Sequence, residues 1–202
     1  LQYFNLGTEE LREDWAKSTG RAERRSRVTG ELQRYLQALT HPLHTLKIGI
    51  AGKYLGPRDT YASIHNALEH AGTDQQTTIE VVDVPSDLIN ENGSAVEQEQ
   101  QAAEYLDALD GIIVPGGFGR RGWEGKIACI SHSRRHGLPT LGICYGFQAA
   151  MAEFARHCCG LEAANTMEVD PRTESPVILL MPEQYKLEGI GASLQSIDGY
   201  TV

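Results

Sequence analysis

Little in this sequence points to a scaffold held together by covalent or metal cross-links. Four cysteines (Cys129, Cys144, Cys158 and Cys159) are too few and too unevenly placed for a disulfide framework. The Cys158-Cys159 pair has no ligand partners at metal spacing, so no metal site is expected. A basic excess is missing too: the net charge of -9 argues against a nucleic-acid groove or an anionic membrane surface as the main partner. No stretch approaches the roughly 20 apolar residues of a transmembrane helix. The N-terminus has no signal-peptide pattern, which makes the cytosol the expected compartment. Internal repeats and low-complexity tracts are absent as well. What remains is ordinary for a globular protein: 41% hydrophobic and 22% charged residues, in a length that fits one domain with an appendage. The chain opens on Leu1 rather than Met, so it is expected to be a fragment of something longer.

Residues 1–45 are highly charged, with a basic run from Arg21 to Arg27, and read as an inter-domain linker or helix. Leu32, Tyr35, Leu36 and Leu39 recur at helical spacing, which predicts an amphipathic helix over 30–39, stopped by Pro42. From residue 46 the pattern changes to alternating strands and helices. Strands are predicted at 46–52, 78–84 and 110–114, with a fourth leading to Cys144. The helices between them are predicted at 61–70, 97–109 and 123–136. Such alternation means an α/β fold with a doubly wound, mainly parallel sheet, and ligands beyond the carboxyl ends of its strands.

Two glycine turns lie at those ends. In Leu141-Gly142-Ile143-Cys144-Tyr145-Gly146-Phe147-Gln148 an apolar run ends in a Cys between near-adjacent glycines, and helix formers follow. This is the thiol form of the Gly-x-Ser-x-Gly nucleophile elbow. The sharp turn lifts the sulfur above the sheet edge, and the helix behind it directs its positive dipole end there. The competing reading is a small buried core cysteine at a strand end. The other turn, Pro115-Gly116-Gly117-Phe118-Gly119, lacks the Lys-Ser/Thr of a P-loop and the spacing of Gly-x-Gly-x-x-Gly. An oxyanion hole formed by the N–H groups of Gly117 and Tyr145 is the better reading, against a phosphate cradle or a plain β-turn. His132, His136 and His157 read as surface residues rather than bases, and Arg120-Arg121 as a phosphate or domain contact or a solvated turn.

A Cys elbow and a Pro-Gly-Gly turn on one sheet resemble the class I (triad-type) glutamine amidotransferases. The match is closer to the glutaminase domain of the CTP synthase family. It is carried by Gly49-Ile50-Ala51-Gly52-Lys53-Tyr54, Val114 to Gly119, Arg121-Gly122-Trp123-Glu124-Gly125-Lys126-Ile127, Leu141 to Gln148 and Ala164-Asn165-Thr166-Met167-Glu168. The resemblance runs from about Lys47 to about Glu183, within a glutaminase domain taken as 46–202. It implies a flavodoxin-like sheet and a nucleophile, Cys144, that opens the side-chain amide of L-glutamine to a thioester and ammonia. It implies Gly117 and Tyr145 as oxyanion donors, with Gly117, Phe118, Gln148 and Glu168 as substrate binders. Tyr145 stands where the family often has Leu, which matters little if only its backbone acts. No cofactor is implied for this domain; ATP and Mg belong to an N-terminal amidoligase domain, which would aminate UTP within a homo-oligomer, a tetramer by resemblance.

The resemblance is incomplete. The family's His-Pro-Glu acid–base pair and its His-Arg-Tyr-Glu motif are absent, and 185–202 look like the strand pair before that missing His, including the hairpin signal Asp198-Gly199. Weak or absent glutamine hydrolysis by these residues alone is therefore expected. The alternative is a catalytically silent amidotransferase-like module serving regulation or assembly.

Overall fold

The computed structural model describes residues 30, 32, 35–37, 40–55, 60–89 and 92–179. They fall into two compact units, one drawn from Leu1–Thr45 and Asn66–Thr78, the other from Leu46–His65 and Ile79–Val202. In the first, the described residues among 30–40 are helical, as the spacing predicts. Leu32, Tyr35 and Leu36 are nonetheless exposed. Leu39, the charged 1–29 segment and the tail with its Asp198-Gly199 signal lie outside the described residues.

The expected α/β alternation is present. In chain order the elements are β1 (His44–Gly52), α1 (Ala62–Asp74), β2 (Thr77–Pro85), α2 (Ala95–Leu106), β3 (Gly111–Val114), α3 (Trp123–His136), β4 (Thr140–Gly142), α4 (Tyr145–Cys158), β5 (Ala164–Thr166) and β6 (Ser175–Ile178). The larger sheet has strand order β2-β1-β3-β4. The pairings of β3 with β1 and with β4 are parallel, Ile113 lying opposite Ile50 on one side and Leu141 on the other. β2 follows β1 towards one edge and β4 follows β3 towards the other, so the winding reverses between β1 and β3, where an open α/β sheet takes its ligands.

Central burial explains the short apolar runs: all four residues of β3 are buried, as are the last four of β1. The helices close the core with Trp123, Ile127, Cys129 and Ile130 from α3 and Ala149 and Ala152 from α4. α2 starts at Ser94, whose hydroxyl accepts from the Glu97 N–H while the Glu97 carboxylate accepts from the Ser94 N–H. Those reciprocal bonds satisfy two otherwise orphaned donors and start the helix at Ala95, ahead of the predicted 97. The β5–β6 pair was not anticipated; its strands are three and four residues long and pair in parallel. Among the described residues, no helix is long and apolar enough to cross a membrane.

Candidate active site

β4 ends at Gly142, Ile143 donates its N–H to Val114 O at 2.9 Å, and Cys144 becomes the N-cap of α4 at φ 53° and ψ −112°. A non-glycine residue at such a φ is strained, and strain of this kind persists where the surroundings over-determine it. The surroundings here leave no choice. A Cβ on Gly146 would sit 1.9 Å from Val114 O, and one on Gly142 would sit 2.9 Å from three backbone atoms of Gly146 and Phe147. Two close backbone approaches, closed by Gly146 N–H to Ile143 O at 2.9 Å, thus force the corner. Cys144 is exposed and free. The buried-core reading of this cysteine is excluded.

The second turn lies against the corner. A Cβ on Gly116 would be 3.7 Å from Cys144 Cβ, and one on Gly117 would be 3.7 Å from Tyr145 Cδ1. Among the described residues, the Gly117 N–H has no hydrogen-bond partner. Three groups hold the turn around it. The Tyr145 hydroxyl donates to Gly119 O at 2.6 Å, the Gly119 N–H donates to Glu168 Oε1 at 2.8 Å, and Lys126 Nζ donates to Pro115 O at 2.6 Å. Lys53 Nζ adds a bond to Phe118 O. With its Gly119 amide committed to a carboxylate, the turn is a poor cradle for phosphate. Phe118 stands 60% exposed beside it. Gln148, one turn into α4, has its backbone N–H on Cys144 O at 3.1 Å and its side-chain Oε1 buried without a hydrogen-bond partner among the described residues.

Cys144, Gly117, Tyr145, Phe118, Gln148 and Glu168 therefore all lie on the elbow, on the facing turn, or bonded to it. Two features escaped the sequence. Tyr145 contributes its side chain as well as its backbone: its ring is buried, 4.9 Å from the Trp123 ring centroid, and its hydroxyl ties the two turns together. Lys126, quoted above only within a motif, is 1% exposed beneath the glycine turn. Burial, and then the neighbouring Lys53 charge, push its ammonium down to about 8. A lysine inside the buried apolar run Gly125 to Ile130 was the available signal.

The surface reading of His132 is corrected. It is 3% exposed, with Nε2 3.0 Å from Asp107 Oδ1 and its ring stacked on His136 at 4.1 Å. A carboxylate at the C-cap of α2 gives the imidazole a partner and so permits its burial. His136 and His157 are exposed, as expected, and bond the backbone oxygens of His132 and Glu153. Arg121 lies 3.7 Å from Asp87 rather than standing alone in solvent, and Cys158 and Cys159 are exposed. A cavity of about 480 Å³ lies away from the elbow, lined by Glu99, Glu124, Arg134, Arg135 and Arg156 among others. Those arginines are paired with Glu153, Glu99 and Glu124, so their charge is spent on structure.

A family profile described as glutamine amidotransferase class-I matches residues 57–191. The chain is 41% identical over 167 residues to a CTP synthase of Methanocaldococcus jannaschii, covering 82% of this chain and 30% of that one. Against a CTP synthase of Thermus thermophilus it is 43% identical over 166 residues, with 81% and 28% covered. Among solved structures it is similar to the glutaminase domain of Trypanosoma brucei CTPS with bound acivicin, at a TM-score of 0.59 and 33% identity over 68% of this chain and 50% of that one. The chain thus spans about 30% of the length of the curated relatives it matches. With a cysteine elbow facing a Pro-Gly-Gly turn on a parallel sheet, and a family match over residues 57–191, this chain belongs to the class-I glutamine amidotransferases.

Proposed function

We propose that this chain is the glutamine-hydrolysing part of a CTP synthase, with Cys144 as its nucleophile. The observation that carries the reading is the exposed sulfur on a strained corner, packed against a glycine turn whose Gly117 amide is unused among the described residues. The thiolate of Cys144 attacks the side-chain amide carbon of glutamine, and the carbonyl electrons move to oxygen. The N–H groups of Gly117 and Tyr145 stabilise that oxyanion; one donor of this kind is typically worth about 2.7–4 kcal/mol in the transition state. Collapse of the intermediate breaks the C–N bond, and the protonated nitrogen leaves as ammonia. Water then hydrolyses the γ-glutamyl thioester to glutamate and regenerates the thiol.

Substrate recognition falls to groups around the elbow. The Gln148 Oε1 acceptor is satisfied by a substrate donor, and Phe118 covers the aliphatic part of the substrate. Glu168, already holding Gly119, keeps carboxylate capacity for the α-ammonium group. The general acid that gives the leaving nitrogen its proton is a group other than His132, His136 or His157, which are engaged on α2, α3 and α4. In the whole enzyme the ammonia aminates UTP activated by ATP in a separate synthetase domain, which is the natural partner of this one.

Covalent labelling tests the reading without requiring turnover. Acivicin, the ligand of the trypanosomal relative, is expected to add to Cys144 in preference to Cys158 and Cys159, with glutamine protecting. Labelling spread evenly over the exposed thiols, without protection by glutamine, would sink the assignment.

A further inference from the structure

His132 and His136 are one turn apart on α3, and such a pair lies on one face of a helix. Glu99 reaches the same spot from α2: one ligand atom from each of Glu99, His132 and His136 lies within 4.8 Å of the others. Hydrogen bonds decide which ring nitrogens are left. His132 Nε2 is 3.0 Å from Asp107 Oδ1, and a carboxylate only accepts, so this nitrogen carries the proton of the neutral ring. Its Nδ1 then holds a lone pair, buried without a hydrogen-bond partner among the described residues. His136 Nδ1 is 2.9 Å from His132 O; a carbonyl only accepts too, which leaves the His136 Nε2 lone pair. Glu99 engages Arg135 through Oε2 and keeps Oε1 for another partner. Burying an acceptor with no donor costs its desolvation without return, and Leu at 132 would fill the space without that cost. Apart from the Arg135 contact, acceptors here face acceptors. A cation is what such a set lacks.

We propose that Glu99, His132 and His136 form a binding site for a divalent transition-metal ion of the Zn²⁺ type, which staples α2 to α3. Two imidazoles and one carboxylate suit Zn²⁺ or Co²⁺, whereas Mg²⁺ and Ca²⁺ ask for oxygen ligands alone. Tetrahedral zinc places its ligand atoms about 3.4 Å apart, so the set has about 1.4 Å to close at most. His132, 3% exposed, is the fixed ligand; the half-buried Glu99 and the exposed His136 are the ones that move. The Asp107 carboxylate on Nε2 orients the His132 ring, as outer carboxylates do for metal-bound imidazoles. Three protein ligands leave a fourth position for water. The adjacent cations, Arg134 and Arg135, are each occupied by a carboxylate, Glu153 and Glu99, and an ion on Glu99 Oε1 leaves the Arg135 bond in place. The site belongs to the helices and is independent of the glutaminase reading.

The test is a calorimetric titration of the EDTA-dialysed chain with Zn²⁺ and Co²⁺. Cys144→Ser, Cys158→Ser and Cys159→Ser are introduced first, so that no exposed thiol of the described residues competes. The expected result is one saturable ion per chain that excess Mg²⁺ does not displace, and a melting temperature that rises with Zn²⁺ concentration. Nitrogen NMR should place the ion-induced changes on His132 Nδ1 and His136 Nε2. Glu99→Gln and His136→Ala alter side chains outside the buried core, so both variants should fold. Each should weaken Zn²⁺ binding at least tenfold and remove the thermal stabilisation. Three outcomes would overturn the proposal: no saturable binding, binding unchanged in either variant, or an ion-induced change on His132 Nε2 in place of Nδ1.

Discussion

The elbow corner and the packed helices α2, α3 and α4 solve opposite problems with similar residues. Between those helices, charged side chains that leave water find partners. Glu153, 1% exposed, takes a bidentate contact from Arg134 at 2.9–3.1 Å, and the buried His132 takes Asp107. At the corner the pattern inverts. Cys144 holds a positive φ, the Gly117 N–H is unused among the described residues, and Lys126 is buried with a carbonyl for company. One region uses polar groups to close the fold; the other leaves polar capacity open for a ligand. Strain and unspent donors at a glycine-lined corner are where chemistry is expected.

The comparison breaks most sharply at the elbow glycine. Gly146→Ala places a Cβ 1.9 Å from Val114 O, a backbone atom that cannot swing aside. A loss of about 3 kcal/mol or more in urea unfolding is expected, together with loss of selective Cys144 labelling. A variant as stable as the parent would show that the corner is not forced.

Next in size is the pH dependence of stability. The ammonium of Lys126 titrates near 8 in the fold and at 10.5 when unfolded, so the unfolded chain binds the extra proton between those values. Stability from this group therefore rises with pH across that window, by on the order of 3 kcal/mol in total. Cys129, raised to about 12 by burial, acts in the opposite sense above 9. The quantity to follow is the difference in unfolding free energy between the parent and Lys126→Met. It should shift in the parent's favour as the pH climbs from 8 to 10.5, and a flat difference would mean that Lys126 is not held in a desolvated site.

Glu153→Gln sharpens the other side. It removes the carboxylate from a buried site but leaves Arg134, whose side chain is 36% exposed, free to reach water. The cost should be about 1–2 kcal/mol rather than the full penalty of an orphaned buried charge. Acivicin labelling of Cys144 should not change, since the pair holds helices and not the elbow. Smallest is Tyr145→Phe, which deletes the bond to Gly119 O and should cost about 1 kcal/mol while slowing acivicin labelling a few-fold through a loosened turn.

How much of this was legible beforehand differs from element to element. α3 was legible at 123–136, and the structure places left-handed glycines, Gly122 and Gly137, at its two ends. The elbow was legible because glycine spacing around a cysteine is a local signal with few other uses. β5 and β6 were not, since strands of three and four residues carry too little periodicity, and one of them contains Pro176. The helix predicted from 97 starts at Ala95 because Ser94 and Glu97 form a capping box, a local signal that the apolar spacing does not carry. His132 was misplaced on the surface because its partner Asp107 comes from another helix, 25 positions earlier in the chain.

By itself, the sequence determined the alternation of elements, the order of the strands' glycine turns and the cysteine at the corner. These depend on side-chain period and on backbone freedom within a few residues. Only the tertiary structure decided that a lysine would lie dry beneath one turn, that a tyrosine hydroxyl would tie it to the other, and that a histidine would leave the surface. Each of those depends on which groups lose water and which long-range neighbours replace it, and desolvation is not a property of any short stretch of chain.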